Sequence, residues 1–175
     1  MKQVSEIDKK HYAMIRDNID NMLLHASILY DKESTIVLDI APQVHAGAKK
    51  FFKRAFVQTL DIDEASNADY ICDLADASFI PDNTFDIVFC TEVLEHTNDP
   101  FSCTKTIHRI LKPGGICYTT TPFNFRIHNP LPDNWRFTEH GLRILFKHFQ
   151  AVTITPLEDE GRFLMPVQYL TVAVK

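Results

Sequence analysis

Between residue 35 and the C-terminus, seven short runs rich in β-branched and aromatic residues alternate with stretches of helical spacing. This alternation constrains the fold more than any other feature. The runs are TIVLDI (35–40), FVQTLDI (56–62), DYICDL (69–74), FDIVFC (85–90), GICYTTTP (115–122), QAVTITP (150–156) and QYLTVAVK (168–175). Helical spacing fills 44–54, 99–111 and 138–149. Buried strands separated by helices predict a mostly parallel sheet covered on both faces. KPGG (112–115) is expected to end a helix and turn tightly into the fifth strand. The last two runs are joined by LEDEGRFLMPV rather than by a helical pattern, so they are expected to pair as an antiparallel hairpin. The expected fold class is therefore α/β: a doubly wound, mostly parallel, seven-stranded sheet with a C-terminal antiparallel hairpin. Ahead of it, Ile15, Ile19, Met22, Leu23 and Ala26 recur at helical spacing and predict a helix over 3–30. The reading is of one domain, 1–175, with an N-terminal helical segment (1–33) and an α/β core (34–175).

Charge removes several function classes. A net charge of −5 and a pI near 5.9 leave no basic footprint for nucleic acid or an anionic membrane. No apolar run approaches the ~20 residues needed to span a bilayer, so no membrane insertion is expected. The opening MKQVSEIDKKHY reads as too polar for a secretory signal. Cys72, Cys90, Cys103 and Cys117 lack C-x-x-C spacing and read as buried, reduced thiols. The expected compartment is cytoplasmic and the expected partner a small-molecule substrate; no motif encodes an oligomeric state.

Two motifs carry the functional reading. The first is VLDIAPQVHAG (37–47), a strand ending in an acid, then a turn. In nucleotide-binding α/β proteins glycines at this turn let backbone N–H groups approach a ligand, yet here no glycine precedes Gly47. The second is PDNTFDIVFCTEVLEHTNDPFSCTKTIHRILKPGGICYTTTP (81–122), where FDIVFCTEVLEH is followed by LKPGG. With these stretches the chain resembles, from about residue 34 onward, the class I S-adenosylmethionine-dependent methyltransferases of the small type-11-like branch.

The resemblance implies a Rossmann-like methyltransferase fold, S-adenosyl-L-methionine as cofactor, and methyl transfer to an N or O atom of a small, sugar- or phosphate-containing metabolite. It implies that Asp39 organises the loop meeting the methionine part. Asp61 would accept from the ribose hydroxyls, with Ile62 against the adenine. Asp73 and Leu74 would meet the adenine edge, and Cys90 and Thr91 would end the fourth strand beside the methyl group. The family turn D-x-G-x-G-x-G is matched here by Ala41, Gln43 and His45, and Pro42 removes one backbone donor. The cofactor-binding expectation includes Ala41, as a residue small enough for close approach, Pro42, and Gln43, as a side-chain donor in place of backbone. The competing reading is a catalytically inactive methyltransferase-fold protein that binds a partner or metabolite, for which the altered turn is the support. A nicotinamide-dependent dehydrogenase is disfavoured because G-x-G-x-x-G is absent.

Glu92 and His96 are four apart, a spacing that shares a face on a helix, and are the expected catalytic pair, with His96 as base or acceptor-orienting group. No metal is expected: E-x-x-x-H has no matching His/Cys/Asp cluster near it in sequence. FNFRIHNPLPDNWRF (123–137) mixes aromatic and basic residues, and Arg126, His128, Trp135 and Arg136 are the expected acceptor contacts, arginines suiting a carboxylate or phosphate.

Overall fold

The computed structural model describes residues 4–175. Helix α1 (Glu6–Tyr30) opens on Ser5, whose hydroxyl accepts from the Asp8 N–H at 3.2 Å. The strands are β1 (Ile36–Ile40), β2 (Phe56–Asp61), β3 (Tyr70–Ile71), β4 (Phe85–Thr91), β5 (Leu111–Pro122), β6 (Ala151–Leu157) and β7 (Gln168–Val174), with α2 (Pro100–Ile110) before β5 and α3 (Glu139–Leu145) before β6. They form one seven-stranded sheet in the order β3-β2-β1-β4-β5-β7-β6. β1 to β5 run parallel, while β7 lies antiparallel between β5 and β6. The doubly wound sheet with its terminal hairpin is thus present as read from the sequence.

Alternation along the central strands sorts side chains onto two faces. Val37, Ile87 and Phe89 meet the stripe of α1, namely Ile15, Ile19, Met22, Leu23 and Ala26. Leu38, Ile40, Val88 and Cys90 point the other way, to Ile107 and Ile110 of α2 and Leu142 and Leu145 of α3. The order of strands places the ends of β1 and β4 side by side, with chain reversal on either side of them. That opening is where the cleft forms.

Four expectations change. The 44–54 segment is not an α-helix; only Gly47–Lys50 coils, as a 3-10 helix. Asp31 captures the N–H groups of Lys53, Arg54 and Ala55 at 2.8–2.9 Å, tying those donors to a side chain instead of a helix ladder. β3 shrinks to two residues because Asp73 caps a following 3-10 helix, accepting from the Ala75 N–H at 2.8 Å. β5 begins at Leu111, so KPGG lies inside the strand as an irregular stretch, with Gly114 at φ +76°. The 138–149 helix closes at Leu145, after which Phe146 and Phe149 turn into the core. Cys90, Cys103 and Cys117 are buried free thiols, and Cys72 is half-buried.

Candidate active site

The turn after β1 keeps the path its residue types disfavour. Ala41 and Gln43 adopt φ of +49° and +51°, the left-handed conformation glycine enters without penalty. Each non-glycine residue there costs roughly 1–2 kcal/mol. The Ala41 N–H is held by the Leu60 carbonyl at 2.7 Å, and the Ala48 N–H by Asp39 Oδ2 at 2.7 Å. Gly47, at φ +53°, is the one glycine the turn requires, since a Cβ there would run into the Asp39 carboxylate.

Two lobes of one cleft meet at this turn. One, of about 260 Å³, is lined by Asp39, Ala41, Pro42, Gln43, Thr91, Glu92, His96, Phe125 and His128, with Tyr12 and Arg16 of α1 above them. The other, of about 150 Å³, is lined by Asp61, Ile62, Asp73, Leu74, Cys72 and Val93. Ala41, Gln43, Glu92, His96 and Pro130 border both. Burial raises Asp39 to about 7, with the Ala48 N–H, Lys49 and Arg16 only partly opposing it. A carboxylate lining a cavity with a single backbone donor is set up for a cationic ligand. Asp61 accepts from the Asp63 N–H at 3.0 Å through one oxygen. It is buried to 6% exposure by its neighbours, not solvent-facing, while Ile62 stands 69% exposed beside it.

At the end of β4, Glu92 has φ +53° and lies outside any helix, so the helical-face argument for Glu92 and His96 is corrected: a 3-10 helix, Leu94–His96, carries His96. The two still line the same lobe. Glu92 Oε1 accepts from the Gln168 amide at 2.8 Å, and Gln168 Oε1 accepts from Asn18 at 2.6 Å. Burial raises the Glu92 carboxyl above its ordinary range. Glu95, which the sequence reading passed over, is fully buried, and neither carboxylate oxygen has a hydrogen-bond partner among the described residues. Burial, then the charge of Glu92, pushes it well above the usual carboxylate range.

A model of the family described as "Methyltransferase domain" matches residues 22–119, more than half of the chain. The chain belongs to this methyltransferase family. Among curated proteins it is 36% identical over 80 residues to the ubiquinone biosynthesis O-methyltransferase of Psychrobacter cryohalolentis, covering 42% of this chain and 29% of that one. The chain spans less than a third of the length of the curated relatives it matches. Its fold is similar to a SAM-dependent methyltransferase from Archaeoglobus fulgidus, with TM-score 0.65, 16% identity, and coverage of 94% of this chain and 99% of that one. It is also similar to phosphoethanolamine N-methyltransferase 2 of Haemonchus contortus in complex with S-adenosyl-L-methionine, with TM-score 0.67, 17% identity, and coverage of 89% and 52%.

The methyltransferase fold gathers most of the sequence-derived site residues and rejects some. Asp39, Ala41, Pro42, Gln43, Asp61, Ile62, Asp73, Leu74, Thr91, Glu92, His96 and His128 border the cleft. Cys90 does not: it points into the α2–α3 core at 0% exposure, because it alternates with Phe89 and Thr91 along β4. Arg136 is not free for an acceptor. It donates to Asp133 Oδ2 at 2.8 Å and to the carbonyls of Trp135 and Arg126 at 2.7 and 3.2 Å. Burial works to raise Asp133, but Arg136 and the His128 N–H outweigh it and hold the carboxyl at about 2. Arg126 lies outside this cleft and reaches Asp8 of α1 at 3.5 Å. Trp135 stacks on Phe137 and donates its indole N–H to the Thr97 carbonyl at 2.8 Å, so it pins the loop to the β4–α2 connection. Tyr12 and Arg16 were missed because they sit on α1, the polar edge of a stripe that reads only as core.

Proposed function

We propose that this chain transfers a methyl group from S-adenosylmethionine to an N or O atom of a small metabolite, anionic groups included. The observation carrying this reading is the left-handed turn at Ala41 and Gln43, flanked by Asp39, Asp61 and Asp73. It preserves the close backbone approach that glycines normally provide, and so speaks against a lost site. Asp39 would receive the ammonium of the methionine part and Arg16, opposite it in the same lobe, its carboxylate. Asp61 would accept from the ribose hydroxyls, with Ile62 against the adenine and Asp73 and Leu74 at its edge.

Bound there, the cofactor supplies an activated methyl on a sulfonium, so positioning accounts for much of the rate. Glu92 and His96, shared by both lobes, face the junction and orient the acceptor. A phosphate-bearing acceptor, of the kind implied by the name of the Haemonchus neighbour, fits the part of the cleft carrying His45 and His128 rather than the arginines of the 123–137 loop. Calorimetric titration with S-adenosylhomocysteine tests the reading. Wild type is expected to bind with micromolar affinity, and Asp61→Ala to weaken binding by about 1.5–3 kcal/mol, the scale of hydrogen bonds to a charged group. Equal affinity in a folded Asp61→Ala protein would remove Asp61 from the site; no binding by wild type would favour a non-catalytic binding role.

A further inference from the structure

The loop after β5 brings His128 against the 3-10 helix after β4, and a cluster forms that neither segment announces alone. The Glu95 carboxylate, at 0% exposure and without a hydrogen-bond partner on either oxygen among the described residues, lies 3.8 Å from His96 Nε2 and 3.7 Å from His128 Nε2. One ligand atom from each of the three residues falls within 4.8 Å of the others. The two rings sit edge to face, with centroids 4.8 Å apart.

The far side of each ring decides its proton. His96 Nδ1 is 2.9 Å from the Pro132 carbonyl, which can only accept, so Nδ1 carries the hydrogen. His128 Nδ1 is 3.1 Å from Asp133 Oδ2, and Arg136 holds that carboxylate from its other side. In its neutral form each imidazole therefore turns its Nε2 lone pair toward Glu95. A protonated Glu95 cannot resolve this arrangement, because 3.7 and 3.8 Å are both beyond hydrogen-bond length. A cation resolves all three groups at once. With metal–ligand bonds of roughly 2.0–2.2 Å the donor atoms stand about 3.4 Å apart, so the two Glu95–histidine separations nearly fit, while the widest pair of the cluster, within 4.8 Å, has to draw together by roughly 1 Å. The outward hydrogen bonds of both rings are the second layer that orients histidine ligands in metal sites.

We propose that Glu95, His96 and His128 form a divalent transition-metal site in the wall of the cleft. Two imidazoles with one carboxylate suit zinc, iron, cobalt or manganese rather than magnesium or calcium, which take oxygen ligands. This reverses the expectation of no metal, which rested on ligands near in sequence; the third ligand is supplied from 32 residues on, at His128. Because His96 and His128 line the lobe that holds Asp39 and Glu92, the open coordination positions face the space assigned to the acceptor. Resting on the methyltransferase reading, the ion favours an acceptor that offers an oxygen ligand, a hydroxyl or a phosphate, and His96 serves as ligand instead of base.

The test is titration of the tag-free, chelator-stripped full chain with Co²⁺, read by visible absorption and calorimetry, with no methyl donor present. One equivalent is expected to bind saturably, with His128→Ala and Glu95→Gln each weakening binding at least about 100-fold and Asp133→Asn about 10-fold. The Co²⁺-shifted ring signals of His96 and His128 in the NMR spectrum of the wild type keep the test decisive if a variant fails to fold. Absence of saturable binding by wild type, binding unchanged in a folded His128→Ala protein, or unshifted ring signals would overturn the site. S-adenosylhomocysteine titration of the same preparation separates the two readings. Cofactor binding without Co²⁺ binding sinks only the metal site, whereas Co²⁺ binding without cofactor binding sinks only the methyltransferase role.

Discussion

Asp39→Asn separates what the turn after β1 does for folding from what it does for the ligand. Asp39 is 3% exposed and its carboxylate receives one backbone N–H, from Ala48 at 2.7 Å. The amide oxygen of asparagine can take that same bond, so the substitution removes charge and little else. Burial raises the carboxyl from 3.8 to about 7, and at ~1.4 kcal/mol per pH unit the gap corresponds to ~4 kcal/mol. The folded protein holds its proton more tightly than the unfolded chain. Stability from this group is therefore complete below pH 3.8 and is lost as pH rises through about 7. Relative to wild type, Asp39→Asn is expected to gain ~3–4 kcal/mol in unfolding free energy between pH 4 and pH 8, read from urea melts at several pH values. Over the same series its affinity for S-adenosylhomocysteine is expected to fall ten-fold or more, since the cation partner is gone. A variant whose stability relative to wild type is flat with pH, or lower at pH 8 than at pH 4, would show that Asp39 is content as a carboxylate in the empty cleft. Asp39 would then have no need of a cationic ligand.

Ala41→Gly is expected to stabilise the fold by about 0.5–1 kcal/mol in urea melts, the relief of a left-handed alanine minus the extra freedom of an unfolded glycine, with cofactor affinity kept; destabilisation would mean the turn is not left-handed at that residue. Arg136→Ala is expected to cost about 3 kcal/mol, because it strands the buried Asp133 carboxylate, whereas Arg126→Ala, losing only a half-exposed contact at 3.5 Å, should stay within about 0.5 kcal/mol. The Asp133 carboxyl is lowered from 3.8 to about 2, so its stabilisation is present above pH 3.8 and disappears as pH falls through about 2; the Arg136→Ala deficit should shrink over that window in acid melts, and a pH-independent deficit would assign the loss to packing instead.

The architecture was legible because its signals are local. Each strand announces itself in six to eight consecutive residues, and the absence of a helix between β6 and β7 already points to an antiparallel pair. Where elements were misread, a side chain outside the window intervened: Asp31, more than twenty residues away, takes the N–H groups of Lys53, Arg54 and Ala55 at the end of the 44–54 segment. Of the site, the acids at strand ends were readable since the family pattern names them by position along the chain. Arg136 was misassigned because the sequence shows an arginine's capacity to hold an anion but not that Asp133, three residues earlier, is the anion it holds.

What the sequence by itself determined is the order of elements and the apolar stripe of α1, which follow from periodicity, and the acids at the ends of β1 and β2 and just after β3, which follow from short motifs and the family resemblance. Only the tertiary structure decided two things. One is the turn: residue types argue against positive φ at Ala41 and Gln43, and the Leu60 carbonyl and Asp39 carboxylate, anchored in the sheet, impose it. The other is the cluster of Glu95, His96 and His128, because two neighbours on a short helix acquire a third partner only when the loop from β5 folds back across the strand ends. Periodicity encodes which face of an element is buried, whereas the meeting of distant polar groups depends on the path of a loop, and that path is set by packing and by where its hydrogen bonds can be met.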